Sequence, residues 1–433
     1  MAFLKKYGKQ LIIIILITTI IVVIGIVLYY KYAFFYKLNN IYVFIKPLNE
    51  NISTITADSS NKFILKAEVK NKLGEPVPGI PISFNIDNNI GVLNLSNTKT
   101  NEFGEILVTY IPPDAITGST YVSINESESN VREEKIFNDI KITITAKISS
   151  KPNMLSKLIF SIFNKIKLFA SPQNYNKNDI DKVFNNGKEE YKSAKYNFKL
   201  IQVPVVLVHG YQSTSDIFSN MSTYLSNLGF DIIPFDYNSL EGVIPGANNL
   251  KNFLADQTRI FLEKGIQVKR FDIIAHSMGG VISRFYSVSK DYIEFNNIRK
   301  LIFISTPHKG SHLAPIGAQY FNDQGVRDMM PESDLYKKMF PQMINKGLNP
   351  NIQTANIIGQ FDEVVSIESA SLFEWGIDTI IFNLGENKFN VDSLLDGTIS
   401  QNAIHKVILN NKKVYEKLVF MLTEPLKYPS KIK

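Results

Sequence analysis

The longest apolar run of the chain lies near its N-terminus. Residues 11–30 carry no charge and consist mainly of Ile, Leu and Val, and Lys5, Lys6 and Lys9 precede them. A helix of twenty residues rises about 30 Å, which is the thickness of a hydrocarbon core. The run is longer than the apolar region of a typical cleaved signal peptide, the alternative interpretation. We therefore predict that residues 1–39 form an uncleaved membrane anchor with a cytoplasmic N-terminus.

Residues 40–147 show apolar and polar positions that alternate with period two. The pattern is clearest at 80–86 and 140–146, and Gly- and Asn-containing turns separate the alternating segments. Alternation of this kind predicts half-buried strands. Several short strands at this spacing are typical of an all-β sandwich.

The pattern changes again after residue 200. Apolar runs at 203–208, 230–235, 271–275 and 301–304 predict buried strands, and helical patterns separate them. This alternation is typical of a mostly parallel sheet with helices on both faces. Residues 201–433 are therefore predicted to form an α/β domain, so that the chain as a whole is a multidomain protein.

Residues 148–200 connect the two predicted domains and are predicted to be a linker. Apolar residues recur every three or four positions from Leu155 to Phe169, and no acidic residue occurs between Lys151 and Ala170. This predicts a basic amphipathic helix. The pattern is equally compatible with a helix on a membrane surface and with a helix packed on one of the domains.

Charge and composition exclude several classes of function. The 433 residues include 47 Lys or Arg and 40 Asp or Glu, giving a formal charge of +7, and the basic residues are scattered. A nucleic-acid partner would require a denser basic stripe, so none is predicted. The chain has no cysteine, which excludes disulfides, thiolate metal sites and cysteine nucleophiles.

The candidate chemistry centres on residues 275–280, which read Ala-His-Ser-Met-Gly-Gly between a predicted strand and a predicted helix. A sharp strand-to-helix turn exposes the Ser277 hydroxyl, and the helix N-terminus offers the Met278 N–H to an oxyanion. Residues 208–211 (Val-His-Gly-Tyr) follow the first strand of this domain. The Tyr211 N–H is the predicted second oxyanion donor.

A base and an acid complete the predicted triad. His405 is the last of five histidines and the only one that follows the candidate acids. Asp362 ends a predicted strand, whereas Asp396 lies so close before His405 that little room is left for a strand and two loops. We favour Asp362 and keep Asp396 as the alternative acid. The chain order Ser277, Asp362, His405 is that of α/β-hydrolases.

These motifs, together with residues 305–311 (Ser-Thr-Pro-His-Lys-Gly-Ser), resemble those of the α/β-hydrolase lipases and esterases. The resemblance implies cleavage of carboxyl esters, with lipid acyl esters favoured, through an acyl-enzyme. It implies no metal or organic cofactor, although a structural calcium ion is compatible with it. Residues 311–350 are rich in Met and Phe and are predicted to be either a lid over an acyl pocket or a packed helix pair.

Residues 69–84 (VKNKLGEPVPGIPISF) and 100–106 (TNEFGEI) resemble the bacterial immunoglobulin-like domains of the invasin/intimin type. Asn71 and Asn101 stand where that pattern has Asp. The resemblance implies a spacer or an adhesive module that meets a cell-surface partner.

Together these features predict a single-pass protein of the cell membrane with an extracytoplasmic serine hydrolase domain. Two alternatives stay open at this point. One is a surface adhesion or scaffold protein with a degenerate hydrolase domain, and the other is an acyltransferase that uses the same triad.

Overall fold

The computed structural model describes residues 16–27, 29, 41–71, 74–116, 120–127, 130–136, 139–148, 193–385 and 403–432. Residues 16–27 are helical and exposed. Within the described ranges, no helix combines the length and the apolarity needed to cross a membrane. The run predicted to span the membrane at 11–30 is described only in part. The predicted amphipathic helix at 155–169 and the alternative acid Asp396 lie outside the described residues.

The first domain is built from strands. Its strands are β1 (Ile41–Pro47), β2 (Thr54–Thr56), β3 (Phe63–Asn71), β4 (Ile82–Ile86), β5 (Val92–Leu95), β6 (Glu105–Ile111), β7 (Thr120–Ser127), β8 (Asn130–Ile136), β9 (Ile140–Ile148) and β10 (Ser193–Ile201). One antiparallel sheet has the order β1-β3-β6-β5, and β7 pairs with β8. A second sheet contains β2, β10, β9 and β4 in that order.

The two larger sheets of the first domain share one hydrophobic core. Buried side chains from both sheets, such as Leu65 and Val108 from one and Ile142 and Phe198 from the other, belong to a single cluster. The period-two pattern has its physical basis here, since Ile142, Ile144 and Ala146 of β9 are buried while Lys141 and Lys147 are exposed. The resemblance of this domain to invasin/intimin-type domains stays a prediction.

The structure differs from the predicted linker at its C-terminal part. Residues 193–201 form β10, which lies between β9 and β2 in the second sheet. The physical reason is the alternation of Ala194, Tyr196, Phe198 and Leu200 with polar residues, because Phe198 and Leu200 then enter the core.

The second domain contains a six-stranded parallel sheet. Its strands are β11 (Val205–Val208), β12 (Ile232–Phe235), β14 (Phe271–His276), β15 (Ile298–Ile304), β16 (Gln353–Gly359) and β17 (Thr379–Phe382), in the order β12-β11-β14-β15-β16-β17, and a short strand β13 (Ile266–Gln267) lies outside this sheet. The α-helices are α1 (Ser219–Asn227), α2 (Val243–Glu263), α3 (Met278–Ser287), α4 (Lys290–Phe295), α5 (Ala314–Tyr320), α6 (Gln324–Asp328), α7 (Phe340–Gln342), α8 (Ile367–Ala370), α9 (Ile404–Val407) and α10 (Lys412–Thr423). Single turns of 3-10 helix occur at Ser215–Phe218, Ser239–Glu241, Ile344–Gly347, Phe373–Trp375 and Ile408–Asn410, and Leu335–Met339 is a π-helical turn.

Helices cover both faces of the parallel sheet. Neighbouring residues of β14 point to opposite faces: Ile273 packs with α2 and α3, and Ile274 packs with α1 and α10. Because the strand is buried on both sides, its sequence is continuously apolar rather than alternating. The predicted mostly parallel α/β arrangement is confirmed.

The two domains are joined by a strand pair and by buried charges. The strand β13 pairs in parallel with β2, so the second domain adds a strand to a sheet of the first. Arg270 forms a bidentate ion pair with Asp58, with a distance of 2.8 Å between Nε and Oδ2. Arg299 pairs with Asp272 and donates to the carbonyl oxygens of residues 57 and 114. Asp272 and Arg299 lie at the amino ends of β14 and β15, so the first domain docks on the amino-terminal edge of the parallel sheet.

Candidate active site

Ser277 lies in a strained turn between β14 and α3. Its backbone φ is 53° and its ψ is −127°, a combination that costs a non-glycine residue about 1–3 kcal/mol. The turn is held by a 3.0 Å hydrogen bond from the Ser277 N–H to the carbonyl oxygen of Ile304. A Cβ at Gly279 would lie 2.3 Å from the carbonyl oxygen of His209, so only glycine fits where the two segments cross. The turn therefore presents the Ser277 side chain at the carboxyl end of the sheet.

The structure brings Ser277, His405 and Asp362 together. The Nε2 atom of His405 is 2.9 Å from the Oγ of Ser277. The Nδ1 atom of His405 is 3.0 Å from each carboxylate oxygen of Asp362. All three side chains are buried. A nucleophile, a base and an orienting acid are thus within hydrogen-bond reach of one another, although 128 residues separate the serine from the histidine.

Asp362 is held in its ionised form. Burial acts to raise the pKa of this carboxyl, but the charge and hydrogen bond of His405 and the Val365 N–H outweigh burial, so the pKa lies below its usual value. The carboxylate also accepts hydrogen bonds from the N–H groups of Val364 at 3.0 Å and Val365 at 2.9 Å. It is therefore available to orient the Nδ1–H of His405.

Two residues that the sequence analysis did not select hold the His405 segment in place. The Nε2 of His276 lies 2.8 Å from the carbonyl oxygen of His405, and Glu363 accepts the N–H of Ile404 at 3.2 Å. Burial, followed by the nearby His405, lowers the pKa of His276 to about 3, so its ring is neutral and Nε2–H is the donor. Glu363 carried no sequence signal apart from its position beside Asp362.

The predicted oxyanion loop abuts the nucleophile. A Cβ at Gly210 would lie only 2.8 Å from the Cβ of Ser277, so residues 209–211 pass directly over the serine. The Tyr211 hydroxyl donates a 2.6 Å hydrogen bond to Asp323, which caps α6 through the Val326 N–H. The loop that carries the Tyr211 N–H is therefore tied to the region predicted as a lid.

A polar depression of about 500 Å³ opens beside this loop. The residues that line it are Gln212, Ser213, Thr214, Tyr237, Asn238, Ser239 and Leu240. Gln212 itself has a φ of 47°, and its N–H donates to the Oγ of Ser239 at 2.9 Å.

The region 311–350 packs against α3 in this structure. Met329, Leu335 and Phe340 are buried in the core cluster on that face of the sheet. The buried guanidinium of Arg284 donates to the carbonyl oxygen of Gly347 at 2.7 Å and lies 4.0 Å from the centre of the Phe340 ring. These contacts bury apolar side chains of the region, and the predicted lid or packed helix pair stays a prediction. In the described part of the chain, no group of three or more His, Asp or Glu side chains could hold a metal ion.

Residues 203–344 match the family model for the alpha/beta hydrolase fold. The C-terminal domain has the α/β-hydrolase fold. It is called the hydrolase domain from here on. No curated protein sequence matches the chain.

Solved structures show low similarity to this chain. The mature lipase BlEst2 of Bacillus licheniformis is 16% identical over 51% of this chain and 92% of its own, with a TM-score of 0.36. The phospholipase PlaB of Legionella pneumophila is 20% identical over 39% of this chain and 45% of its own, with a TM-score of 0.31. The D00–D0 domain of intimin is 19% identical over 26% of this chain and 43% of its own, with a TM-score of 0.17. The fold assignment therefore stands on the family match and on the sheet topology.

Proposed function

We propose that this protein is a serine hydrolase that cleaves carboxyl esters. The observation that carries the proposal is the continuous set of contacts from the Ser277 Oγ to His405 at 2.9 Å and from His405 to Asp362 at 3.0 Å. In an α/β-hydrolase fold this arrangement activates the serine, because the imidazole removes the hydroxyl proton as the oxygen attacks.

The first half of the reaction forms an acyl-enzyme. The Ser277 Oγ bonds to the ester carbonyl carbon while its proton passes to Nε2 of His405. The resulting oxyanion accepts hydrogen bonds from the N–H groups of Tyr211 and Met278. The Asp362 carboxylate stabilises the imidazolium, which then gives its proton to the departing alkoxide as the ester C–O bond breaks.

Water completes the cycle. His405 takes a proton from a water molecule as the water oxygen attacks the acyl carbon, and it returns this proton to Ser277 as the second bond breaks. The products are a carboxylic acid, an alcohol and the free enzyme. The Asp362 carboxylate acts in acylation and in deacylation, because His405 carries a positive charge during each of these steps.

Lipid acyl esters are the substrates that we propose. The apolar run at 11–30 supports attachment to a membrane, with the hydrolase domain on the extracytoplasmic side of the cell membrane. The first domain then serves as a spacer of the immunoglobulin-like type. The polar depression beside the Tyr211 loop offers room for a head group.

The test is ester hydrolysis by the full chain in detergent micelles. Release of p-nitrophenol from butyrate and palmitate esters is compared for the wild type, Ser277→Ala and Ser226→Ala, the last altering an exposed serine of α1. We expect activity in the wild type and in Ser226→Ala and none above background in Ser277→Ala. Equal activity in Ser277→Ala would refute the proposed nucleophile.

A further inference from the structure

The strands of the first domain run lengthwise between two ends. Here the proximal end denotes Pro47, Thr56, Ile140 and Ile201, and the distal end denotes Ile41, Asn71, Ile148 and Ser193; the strand registers group them in this way. The proximal ends of the two sheets lie together, because the rings of Phe63 and Tyr110 in one sheet are 4.9 and 5.0 Å, between centres, from the ring of Phe198 in the other.

The proximal end meets the hydrolase domain. The N–H groups of Ser53 and Thr54 donate to the carbonyl oxygen of Gly265, at 2.9 and 3.1 Å. Asp58 binds Arg270, as described above, and both residues lie beside the β2–β13 pair. A strand rises about 3.4 Å per residue, so the seven residues of β1 place Ile41 roughly 20 Å further from the hydrolase domain.

Two chain connections leave from the distal end. Residues 1–40 enter the first domain at Ile41, and residues 149–192 leave at Ile148 and return at Ser193. Both connections carry sequence features suited to lipid: the uncharged run at 11–30 and the basic amphipathic pattern at 155–169. A single membrane at the distal end accommodates both.

The catalytic residues lie at the opposite edge of the hydrolase domain. Ser277 follows the carboxyl end of β14, and Asp362 follows that of β16. The charged residues that contact the first domain, Asp272 and Arg299, lie at the amino ends of β14 and β15. The length of β14, six residues or roughly 20 Å, separates the docked edge from the catalytic edge.

We propose that the active site faces away from the membrane to which this chain attaches, and that its ester substrate reaches it from the aqueous side. This rests on the membrane attachment and the ester hydrolysis proposed above. The strands β1 and β14 each span roughly 20 Å and lie on opposite sides of the domain junction. A lipid of the anchoring bilayer would have to leave that bilayer entirely to meet Ser277.

Single-cysteine labelling tests the orientation without requiring activity, because the chain has no cysteine of its own. Lys147→Cys lies near the distal end, and Lys309→Cys lies on the loop after β15 at the catalytic edge; both side chains are exposed. Each variant of the full chain is labelled with a donor dye and reconstituted into liposomes that contain an acceptor-labelled lipid. We expect strong energy transfer at residue 147 and at least fivefold weaker transfer at residue 309. Equal or reversed transfer, or failure of the chain to float with the liposomes, would overturn the proposal.

A second measurement tests the consequence for the substrate. A fluorogenic acyl-ester lipid is placed either in the proteoliposomes or in added protein-free vesicles, and p-nitrophenyl butyrate serves as a soluble reference. We expect hydrolysis in the added vesicles to be at least tenfold faster than in the proteoliposomes. Faster hydrolysis in the proteoliposomes would overturn the proposed orientation. Absence of hydrolysis of all three substrates would instead refute the ester hydrolysis, while the energy-transfer result would still decide the orientation.

Discussion

The ion pair between Asp58 and Arg270 fixes the first domain on the hydrolase domain, and its removal should be costly. Asp58 is fully buried, and its carboxylate accepts hydrogen bonds from Arg270 and from the N–H and hydroxyl of Ser60, the last two at 2.9 and 3.0 Å. Arg270→Met keeps the length of the side chain but removes the cation. Removing one partner of a buried pair costs about 3–5 kcal/mol, because the other charge stays buried. At about 2–4 °C per kcal/mol for a domain of this size, Tm should fall by roughly 6–20 °C.

The loss should depend on pH in a defined direction. Burial acts to raise the pKa of Asp58, but Arg270 and Ser60 outweigh it, so the pKa of the carboxyl lies below its usual value. In the wild type this carboxylate therefore stabilises the fold above the unfolded pKa, and the contribution is lost only as the pH falls through the folded pKa. Without Arg270, burial dominates and the folded pKa rises above the unfolded one. The variant should then gain stability as the pH falls from 7 to 5, and its deficit should shrink.

Thermal unfolding at pH 7 and pH 5 measures both effects. The matched control is Arg259→Met, which removes an exposed arginine that also has two carboxylate partners, Glu263 and Asp256. Exposed pairs contribute about 0–1 kcal/mol, so the control should change Tm very little. Adding Asp58→Asn to Arg270→Met should restore part of the loss. A Tm for Arg270→Met that matches the control at both pH values would refute the reasoning.

Three further predictions concern the catalytic edge and the sheet beneath it. Tyr211→Phe removes the 2.6 Å hydrogen bond to the Asp323 carboxylate. Because a hydrogen bond to a charged group contributes about 1.5–3 kcal/mol, its loss should loosen the oxyanion loop. We expect kcat to fall by roughly tenfold or more, with little change in KM. Glu363→Ala frees the backbone that carries His405 and should lower kcat by roughly tenfold, with partial rescue in Glu363→Gln. Lys300 donates to three carbonyl oxygens at the end of α10, and burial lowers its pKa to about 8. As the pH rises from 8 to about 10.5, the folded state loses the Lys300 proton before the unfolded state does. The wild type should therefore gain stability relative to Lys300→Met over this pH range.

Matched controls separate these effects from general damage. Tyr320→Phe, Glu368→Ala and Lys413→Met alter exposed side chains of the same types and should leave kcat and stability unchanged. Steady-state ester kinetics decide the first two predictions, and urea unfolding at a series of pH values decides the third. A kcat in Tyr211→Phe or Glu363→Ala equal to that of its control would contradict the positioning roles. A constant stability difference between pH 8 and 10.5 would contradict the account of Lys300.

The nucleophile of the candidate site could be selected from sequence because it belongs to a local pattern. The strand, the turn and the helix around Ser277 are contiguous, and a turn of this kind needs glycine at 279. Asp362 and His405 followed from chain order and from the small number of histidines. The structure places the Asp362 carboxylate 3.0 Å from Nδ1 of His405, which is where a triad acid lies. Asp396, the alternative acid, lies outside the described residues, so its role stays a prediction.

The domain junction could not be predicted in the same way. The strand β13 has only two residues, and its partner β2 has three, so neither shows a periodic pattern. One sequence signal does mark buried contacts, because Arg299 and Lys300 stand next to each other in a strand that is otherwise apolar and is buried throughout. Two adjacent cations in a buried strand need specific partners, which here are the Asp272 carboxylate and backbone carbonyl oxygens from other parts of the chain. Contacts of that range leave no trace in local sequence patterns.

The most direct test of the central claim is the stoichiometry and position of covalent labelling by a fluorophosphonate probe. Such a probe reacts with a serine whose hydroxyl is activated by a neighbouring base. We predict one label per chain, located by mass spectrometry on the peptide that contains Ser277, lost in Ser277→Ala and slowed at least a hundredfold in Asp362→Asn. Labelling of another serine, or undiminished labelling and ester hydrolysis in Ser277→Ala, would contradict the account.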